Sequence, residues 1–232
     1  MDYRSIKEFK DRYKGKDIYV ICAGPSSDYV PPRFFTDKIV IGVNNVFKKF
    51  PCRYVISKDL KEHPRYTRMV QELKGTDVNL VFSEYHTGHL SDGKNQPDIE
   101  GWYFEHLDNK SADMSDEVLS VIGSDKLVVS RSTVTSAMNL GAQNIILLGH
   151  DCGSIDGDLY DPTYTESDWG SANNYSSAPK WVGSIEAQTL AVKERLKKVY
   201  DCDVISINPF INFGLEGHQY TSNSRDEDGK LK

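Results

Sequence analysis

The chain has 232 residues, a charged fraction of 27% and a formal net charge of −6. This length suits one large domain or two small ones, and the negative charge argues against broad electrostatic attraction to nucleic acid or acidic membranes. The N-terminus lacks the pattern of a signal peptide, and the sequence has no apolar run of membrane-spanning length. We therefore expect a cytoplasmic protein with no nucleic-acid partner and no membrane span. The sequence predicts no particular oligomeric state.

Short apolar runs alternate with helical and turn-like segments along the chain. Residues 5–13 have apolar side chains spaced like one face of a helix, with Ser5 at the N-cap position. Apolar runs bounded by turn residues predict strands at 18–22, 38–43, 53–57, 78–82, 126–129, 144–149 and 203–207. Further helical patterns predict helices at 64–74, 132–140 and 184–200. Strands that alternate with helices predict a mostly parallel sheet with helices on both faces.

Three segments depart from this alternation. Residues 84–125 are rich in Gly, Asp, Asn and His, and they predict an insertion or a lid rather than core. Residues 152–182 mix aromatic and polar side chains, which suits a lid over a binding cleft. Residues 216–232 are polar and charged, and they predict a frayed tail. We therefore expect an α/β fold with a single Rossmann-like domain over residues 1–215, carrying these lid-like insertions.

The carboxyl ends of the predicted strands carry small, polar or charged residues. Parallel strands bring these ends to one edge of a sheet, where α/β proteins bind ligands. The first end is a Gly-Pro-Ser turn, whose N–H groups and hydroxyls suit an anion such as phosphate. The residues that we expect to line this edge are Gly24, Pro25, Ser26, Asn44, Asn45, Asp59, Ser132, Thr133, Thr135, Ser136 and Gly149.

Titratable and aromatic residues in the same regions suggest roles beyond simple binding. His150 and Asp151 follow a predicted strand, where either could act as an acid or a base, or could instead stabilise a turn. Asp59 and Asp151 together could hold Mg²⁺. Aromatic faces that suit a sugar or a base come from the lid tyrosines Tyr160, Tyr164 and Tyr175.

Four short motifs resemble one superfamily in their order and spacing. They read Val-Ile-Cys-Ala-Gly-Pro-Ser at 20–26, Asn-Asn at 44–45, Thr-Ser-Ala at 135–137 and Leu-Gly-Ala-Gln-Asn-Ile-Ile-Leu-Leu-Gly-His-Asp at 140–151. The superfamily includes the bacterial lipo-oligosaccharide sialyltransferases, the flagellin-modification proteins and the hydroxymethylpterin pyrophosphokinase-like proteins. The resemblance spans residues 18–207 and implies a Rossmann-like domain that binds a nucleotide at the strand ends.

The two enzymatic branches of this superfamily imply different ligands. The sialyltransferase branch implies a CMP-sugar donor and a sugar acceptor, with donor contacts at Gly24, Pro25, Ser26, Asn44 or Asn45, Thr135 and Ser136 and at a tyrosine of the lid. That branch carries a Gly-His before its long C-terminal helix as the proposed base, whereas residues 182–184 here read Val-Gly-Ser. Asp59 fits the pyrophosphokinase-like branch, which transfers diphosphate from ATP with Mg²⁺ to a pterin-like acceptor.

Our first interpretation is a nucleotide-dependent transferase of the glycosyltransferase type, which uses a nucleotide-sugar donor with His150 or Asp151 as the base. One alternative is an ATP- and Mg²⁺-dependent pyrophosphokinase. The other is a non-catalytic nucleotide-binding protein, which fits the missing histidine. If the Gly-Pro-Ser loop holds phosphate, Ser26→Trp should abolish nucleotide binding and leave folding intact.

Overall fold

The structure is a computed structural model of the chain. It describes residues 4–5, 12–57, 64–83, 101–106, 126–127, 143–151, 154–155, 158, 160–161, 163–164, 190, 193–194, 196–198, 201–207 and 219–220. The strands in these ranges are β1 (Arg4–Ser5), β2 (Asp17–Ile21), β3 (Ile39–Val43), β4 (Tyr54–Ser57), β5 (Asn79–Ser83), β6 (Gly101–His106), β7 (Lys126–Leu127), β8 (Asn144–Leu148), β9 (Ser154–Ile155), β10 (Asp203–Ser206) and β11 (Gln219–Tyr220). The helical elements are the α-helix α1 (Pro64–Leu73), the 3₁₀-helices Pro25–Tyr29, Pro32–Phe35 and Asn44–Lys48, and the helical residues 190, 193–194 and 196–198.

The main sheet is parallel throughout its described pairings. Its strand order is β1-β6-β5-β4-β3-β2-β8-β10, with β7 beside β6, and β9 pairs separately with β11. From β2 the chain adds β3 to β6 on one side and then places β8 and β10 on the other. The strand order therefore reverses between β2 and β8. In parallel α/β sheets, ligands bind beyond the carboxyl ends of the strands at such a switch point.

Two apolar clusters cover the two faces of the sheet, because successive residues of a strand point to opposite sides. One cluster contains Ile18 of β2 together with Leu196 from the C-terminal helical residues. The other contains Ile21 of β2 together with Met69 and Leu73 of α1. Helical residues therefore pack on both faces, and the predicted Rossmann-like α/β class is confirmed.

Most of the predicted strands have counterparts in the structure. Strands β2, β3, β4, β5, β7, β8 and β10 lie within a residue or two of the predicted positions, and α1 matches the helix predicted at 64–74. Within the described part of the chain, no helix is both long and apolar enough to cross a membrane. The division into a domain over 1–215 and a tail over 216–232 stays a prediction.

Three local predictions are wrong. Ser5 is not an N-cap, because Arg4–Ser5 form β1 and pair with Trp102 and Tyr103. Gly101–His106, inside the segment predicted to be irregular, form β6 in the main sheet, since a Trp-Tyr-Phe run suits a strand. Gln219–Tyr220, inside the predicted tail, pair with β9. The rest of 84–125 and 216–232 lies outside the described residues.

Candidate functional site

At the switch point, two glycines let the backbones after β2 and β8 approach closely. Gly24 N donates to the carbonyl oxygen of Gly149 at 2.8 Å, and Cys22 N donates to that of Leu148 at 2.8 Å. A Cβ on Gly24 would lie 2.6 Å from a carboxylate oxygen of Asp151, and a Cβ on Gly149 would overlap the carbonyl oxygen of Cys22. Gly149 also has a φ of 68°, which glycine adopts without strain. Both positions therefore require a residue without a side chain.

A buried carboxylate caps the short helix that follows this turn. Pro25 begins the 3₁₀-helix, a position where its missing N–H costs nothing. Ser26 is fully buried, and its N donates to Asp151 Oδ2 at 2.8 Å while its Oγ donates to Oδ1. Asp151 is itself only 4% exposed. Its carboxylate thus lies where the first helical N–H group needs an acceptor and where the helix favours negative charge.

These contacts give the polar groups of the Gly-Pro-Ser loop partners within the protein, and contact of the loop with a nucleotide stays a prediction. We expected its N–H groups and hydroxyls to hold phosphate, but Gly24 N, Ser26 N and Ser26 Oγ donate within the protein. Ser27 N likewise donates to Gly24 O at 3.0 Å. The carboxylate of Asp151 already occupies the anion position of the turn. The expectation that Ser26→Trp leaves folding intact is not supported, because Ser26 has no exposed surface.

A second buried carboxylate, Asp161, binds the neighbouring serine. Its Oδ2 accepts from Ser27 Oγ at 2.8 Å and from Lys49 Nζ, and its Oδ1 accepts from Thr163 N at 2.8 Å. Burial opposes ionisation, but the hydrogen bonds from Lys49, Thr163 and Ser27 outweigh it and lower the pKa of Asp161 below its usual value. Asp161 N also donates to Ala23 O at 2.7 Å. The segment around Asp161 is therefore tied to the end of β2.

The end of β3, next to β2 in the sheet, presents a polar side chain in an unusual backbone conformation. Asn44 has a φ of 55°, in the left-handed region that asparagine enters more readily than most residues. It is half-buried, and its Oδ1 accepts from the buried Ser57 Oγ at 3.1 Å. Because Ser57 holds the carbonyl end, the amide nitrogen is the donor end of this carboxamide. Asn45 is only 2% exposed, so Asn44 is the better-placed of the two for a ligand.

Burial governs the chemistry of His150. This residue is 7% exposed, and desolvation lowers the pKa of His150 to about 4. The imidazole is therefore neutral at pH 7, and a group with such a low pKa is a weak base at that pH. The structure therefore shows a buried, neutral imidazole at this strand end. Catalytic roles for His150 and Asp151 stay predictions.

The structure gathers part of the predicted site at the switch point. The residues that meet there are Gly24, Pro25, Ser26, Gly149, His150 and Asp151, and Asn44 and Asn45 follow the adjacent strand. Of the predicted lid tyrosines, Tyr160 is half-buried and Tyr164 is 5% exposed within an apolar cluster of the core. The predicted site residues outside the described ranges are Asp59, Ser132, Thr133, Thr135, Ser136 and Tyr175. Among described residues, no group of three or more His, Cys, Asp or Glu side chains is arranged to hold a metal ion.

Sequence reasoning missed the ion pair between Lys49 and Asp161. Asp161 precedes Pro162 in the segment assigned to the lid, and an Asp-Pro pair indicates only a turn. Lys49 lies in a short connector with another lysine and two phenylalanines, without a local acidic partner in the sequence. The two residues are 112 positions apart, so neither signal could identify the other as its partner.

No protein-family model and no curated protein matches this sequence. Solved structures similar to it include the sialyltransferase CST-II in complex with a trisaccharide acceptor and CMP, at 15% identity and a TM-score of 0.45, covering 85% of this chain and 84% of that chain. CstII from Campylobacter jejuni in complex with cytidine-5′-monophosphate matches at 17% identity and a TM-score of 0.48, covering 86% and 84%. A mutant of the alpha-2,3/8-sialyltransferase CstII matches at 16% identity and a TM-score of 0.46, covering 84% of this chain and 82% of that chain. At these identities and TM-scores the likeness concerns the fold and assigns no function.

Proposed function

We propose that the chain is a nucleotide-dependent transferase that binds a nucleotide-sugar donor at the switch point. The supporting observation is that the buried polar side chains of the described residues gather at this one edge of the sheet. Gly149 and Asn44 both have left-handed backbone conformations. Asp151, Asp161 and His150 are buried polar side chains. Such departures from ordinary local preferences concentrate at functional sites, where the surrounding structure compensates for them.

In this proposal the nucleotide lies beyond the carboxyl ends of β2, β3 and β8. Gly24 and Gly149 allow the backbones after β2 and β8 to lie close together at this edge. Asn44 donates from its amide nitrogen to a phosphate or base oxygen, since the buried serine of β4 holds the other end of its carboxamide. The amides of the Gly-Pro-Ser loop are engaged elsewhere, so the remaining phosphate contacts are assigned to Thr135 and Ser136. The resemblance to the sialyltransferase motifs makes CMP the expected nucleotide and a sugar the expected acceptor.

Thermal unfolding in the presence of nucleotides tests this proposal directly. We would measure the shift in Tm with CMP, UDP, GDP and ATP, each with and without Mg²⁺. Stabilisation by CMP without metal is the expected result, because a ligand that binds only the folded state raises Tm. Stabilisation by ATP only in the presence of Mg²⁺ would instead support the pyrophosphokinase alternative. No shift with any of the four nucleotides would contradict the proposal.

A matched pair of asparagine variants locates the site. Asn44→Asp replaces a donor by a carboxylate at the proposed edge, and Asn144→Asp makes the same change at the opposite edge, where Asn144 Nδ2 donates to Asp17 Oδ1 at 2.8 Å. We expect Asn44→Asp to raise the Kd for CMP about tenfold or more, since it loses a hydrogen bond and adds a repelling charge. We expect Asn144→Asp to change this Kd by less than about twofold. Equal effects would point to net charge rather than to a site at Asn44.

A second candidate is a nucleotide-binding protein without catalytic activity. The observation that favours it concerns the two described residues predicted to move a proton. His150 is neutral and buried, and both carboxylate oxygens of Asp151 accept from Ser26. Incubation with a CMP-sugar separates the candidates, because a transferase releases CMP in the presence of a sugar acceptor. If the protein binds CMP tightly but releases no CMP from the CMP-sugar over hours with any of a panel of sugar acceptors, the second candidate is favoured.

A further inference from the structure

Lys49 and Asp161 form a buried ion pair that joins three segments near the switch point. Lys49 follows the 3₁₀-helix Asn44–Lys48 after β3, and Asp161 belongs to the chain after β8. Lys49 Nζ contacts Asp161 Oδ2, and Ser27 Oγ in the loop after β2 donates to the same oxygen at 2.8 Å. Asp161 N donates to Ala23 O at 2.7 Å. We call Lys49, Asp161 and Ser27 the latch.

The charge of Lys49 is needed because Asp161 is cut off from water. The side chain of Asp161 has no exposed surface, and that of Lys49 is 12% exposed. A buried carboxylate that loses its cation is driven toward taking up a proton or moving toward water, because neutral hydrogen bonds offset only part of its desolvation. Either response weakens the bonds from Ser27 and to Ala23. The loop after β2 and the chain around Asp161 would then no longer be held together.

Lys49 also has a surface partner, which provides an internal comparison. Its Nζ lies 2.9 Å from Asp28 Oδ1, and the side chain of Asp28 is 53% exposed. Ion pairs at such exposed positions contribute little, because water and salt screen them. The two contacts of this ammonium group therefore differ in burial, because Asp161 is fully buried and Asp28 is exposed.

We propose that Lys49 is a positioning residue for nucleotide binding, which acts through Asp161 on the loop after β2. The inference rests on the proposed function, since it places the nucleotide beside that loop. When the latch is weakened, a larger fraction of molecules has the loop and the Asp161 segment apart. Only molecules in which the loop after β2 contacts the segment around Asp161 bind the nucleotide. The apparent Kd therefore rises as the fraction of such molecules falls. Lys49 contacts no reacting group in this arrangement, so in a catalytic assay KM rises and kcat stays unchanged.

The central test compares Lys49→Met with Asp28→Asn in the full chain. Calorimetric titration with CMP is carried out at a temperature where circular dichroism shows every variant to be folded. Lys49→Met is expected to raise the Kd about tenfold, and Asp28→Asn is expected to change it by less than about twofold. Lys49→Arg keeps the charge and should recover most of the affinity. A purely structural role would lower Tm while the folded protein kept its Kd.

A second variant and a second measurement apply if Lys49→Met does not fold. Ser27→Ala removes one bond of the latch without leaving an unpaired charge, and we expect it to raise the Kd about threefold. Hydrogen exchange at the Thr163 amide, which donates to Asp161 Oδ1 at 2.8 Å, should be slowed by CMP in the unmodified protein and accelerated in Ser27→Ala. Unchanged Kd and unchanged exchange in Ser27→Ala would overturn the proposal.

The outcomes separate this inference from the function on which it rests. If the unmodified protein binds no nucleotide, the proposed function is wrong and the role of Lys49 falls with it. If the unmodified protein binds CMP and a folded Lys49→Met variant binds it equally well, the latch proposal is wrong and the proposed function stands. If Asp28→Asn weakens binding as much as Lys49→Met, the surface ion pair matters and the role assigned to Asp161 is wrong.

Discussion

The carboxyl ends of β2 and β3 are neighbours in the sheet, but they use their polar groups in opposite ways. After β2, Ser26 and Ser27 are fully buried, and their hydroxyls donate to Asp151 and Asp161. After β3, Asn44 is half-buried, and a buried serine of β4 holds only the carbonyl end of its carboxamide. The polar groups of the first strand end bond within the protein, whereas at the second, among the described residues, only the carbonyl end of the Asn44 carboxamide has a side-chain partner.

This difference shows what a Gly-Pro-Ser turn indicates and what it does not. Its residue types predict that the backbone turns there, because glycine and proline set the allowed dihedral angles. Whether the two serines face a ligand or the protein depends on carboxylates that lie 125 and 134 positions away in the chain. The Gly-Pro-Ser turn is the more conspicuous motif, but its serines bond within the protein. Asn44 is therefore the stronger candidate for contact with a ligand.

The largest expected effect tests the closeness of the β2 and β8 ends. Gly149→Ala should destabilise the protein by about 3 kcal/mol or more, because the new Cβ combines a left-handed backbone with a steric overlap. That Cβ would lie 2.9 Å from the carbonyl carbon of Cys22 and closer still to its oxygen. Gly15→Ala is the matched control, since Gly15 has a φ of 73° but a Cβ added there would meet no atom within 4 Å. We expect Gly15→Ala to lower the free energy of unfolding by about 1 kcal/mol in urea titrations.

The next effect is a pH dependence of stability at the end of β8. Burial lowers the pKa of His150 from 6.5 to about 4, so the unfolded chain binds more protons than the folded one between these values. The stability due to the neutral imidazole is therefore complete above pH 6.5 and is lost as the pH falls to about 4. From pH 7 to pH 4, the unmodified protein should lose about 3 kcal/mol more than His150→Gln.

Urea titrations at several pH values check this prediction. The quantity to compare is the change in the free energy of unfolding with pH, and the absolute stability of each variant does not matter. The stabilising effect of ionised Asp161 is lost mainly below pH 3.8, the ordinary pKa of the group, because its pKa in the folded protein is lowered from that value. The two groups therefore act in separate pH ranges. If the free energy of unfolding changes equally with pH in the unmodified protein and in His150→Gln between pH 4 and pH 6.5, the imidazole is not held neutral.

A smaller effect separates the end of β2 from the end of β3. Ser26→Ala removes the hydroxyl donor, and it should destabilise the protein by about 2 kcal/mol, because it leaves a buried carboxylate oxygen without that donor. Its backbone N–H still bonds to Asp151. We expect the Kd for CMP in folded Ser26→Ala to change by less than about twofold. A tenfold loss of affinity would restore the direct ligand contact first predicted for Ser26.

The smallest effect on stability is expected at the end of β3. Asn44→Gly relieves the left-handed backbone but loses the bond from Ser57, so the free energy of unfolding should change by less than about 0.5 kcal/mol. Asn44→Ala loses the same bond and keeps the strain, and it should be destabilising by about 1 kcal/mol more. Both variants should weaken CMP binding to the same extent, as measured by calorimetry. Unchanged affinity in both would show that Asn44 does not contact the nucleotide.

Much of the fold could be predicted because strands and their ends leave a local signal. The runs that became β2, β3 and β8 are short and apolar, and each stops at Gly, Asn or a similar turn residue. The strand β6 was not predicted, because its short Trp-Tyr-Phe run lies between segments rich in Gly and Asp that are typical of loops. Part of the site followed from the fold, since the switch point of a parallel sheet brings Gly24 and Gly149 together.

The sequence by itself determined the alternation of strands and helices, the places where the backbone turns and the residue types available at each strand end, because periodicity and dihedral preferences are local properties. Only the tertiary structure decided that Ser26 pairs with Asp151, that Ser27 and Lys49 pair with Asp161, and that His150 is buried. Those outcomes depend on contacts between distant parts of the chain and on the exclusion of water from them. Desolvation and long-range pairing set the charge and the hydrogen bonding of a side chain, and neither is written in its neighbours along the sequence.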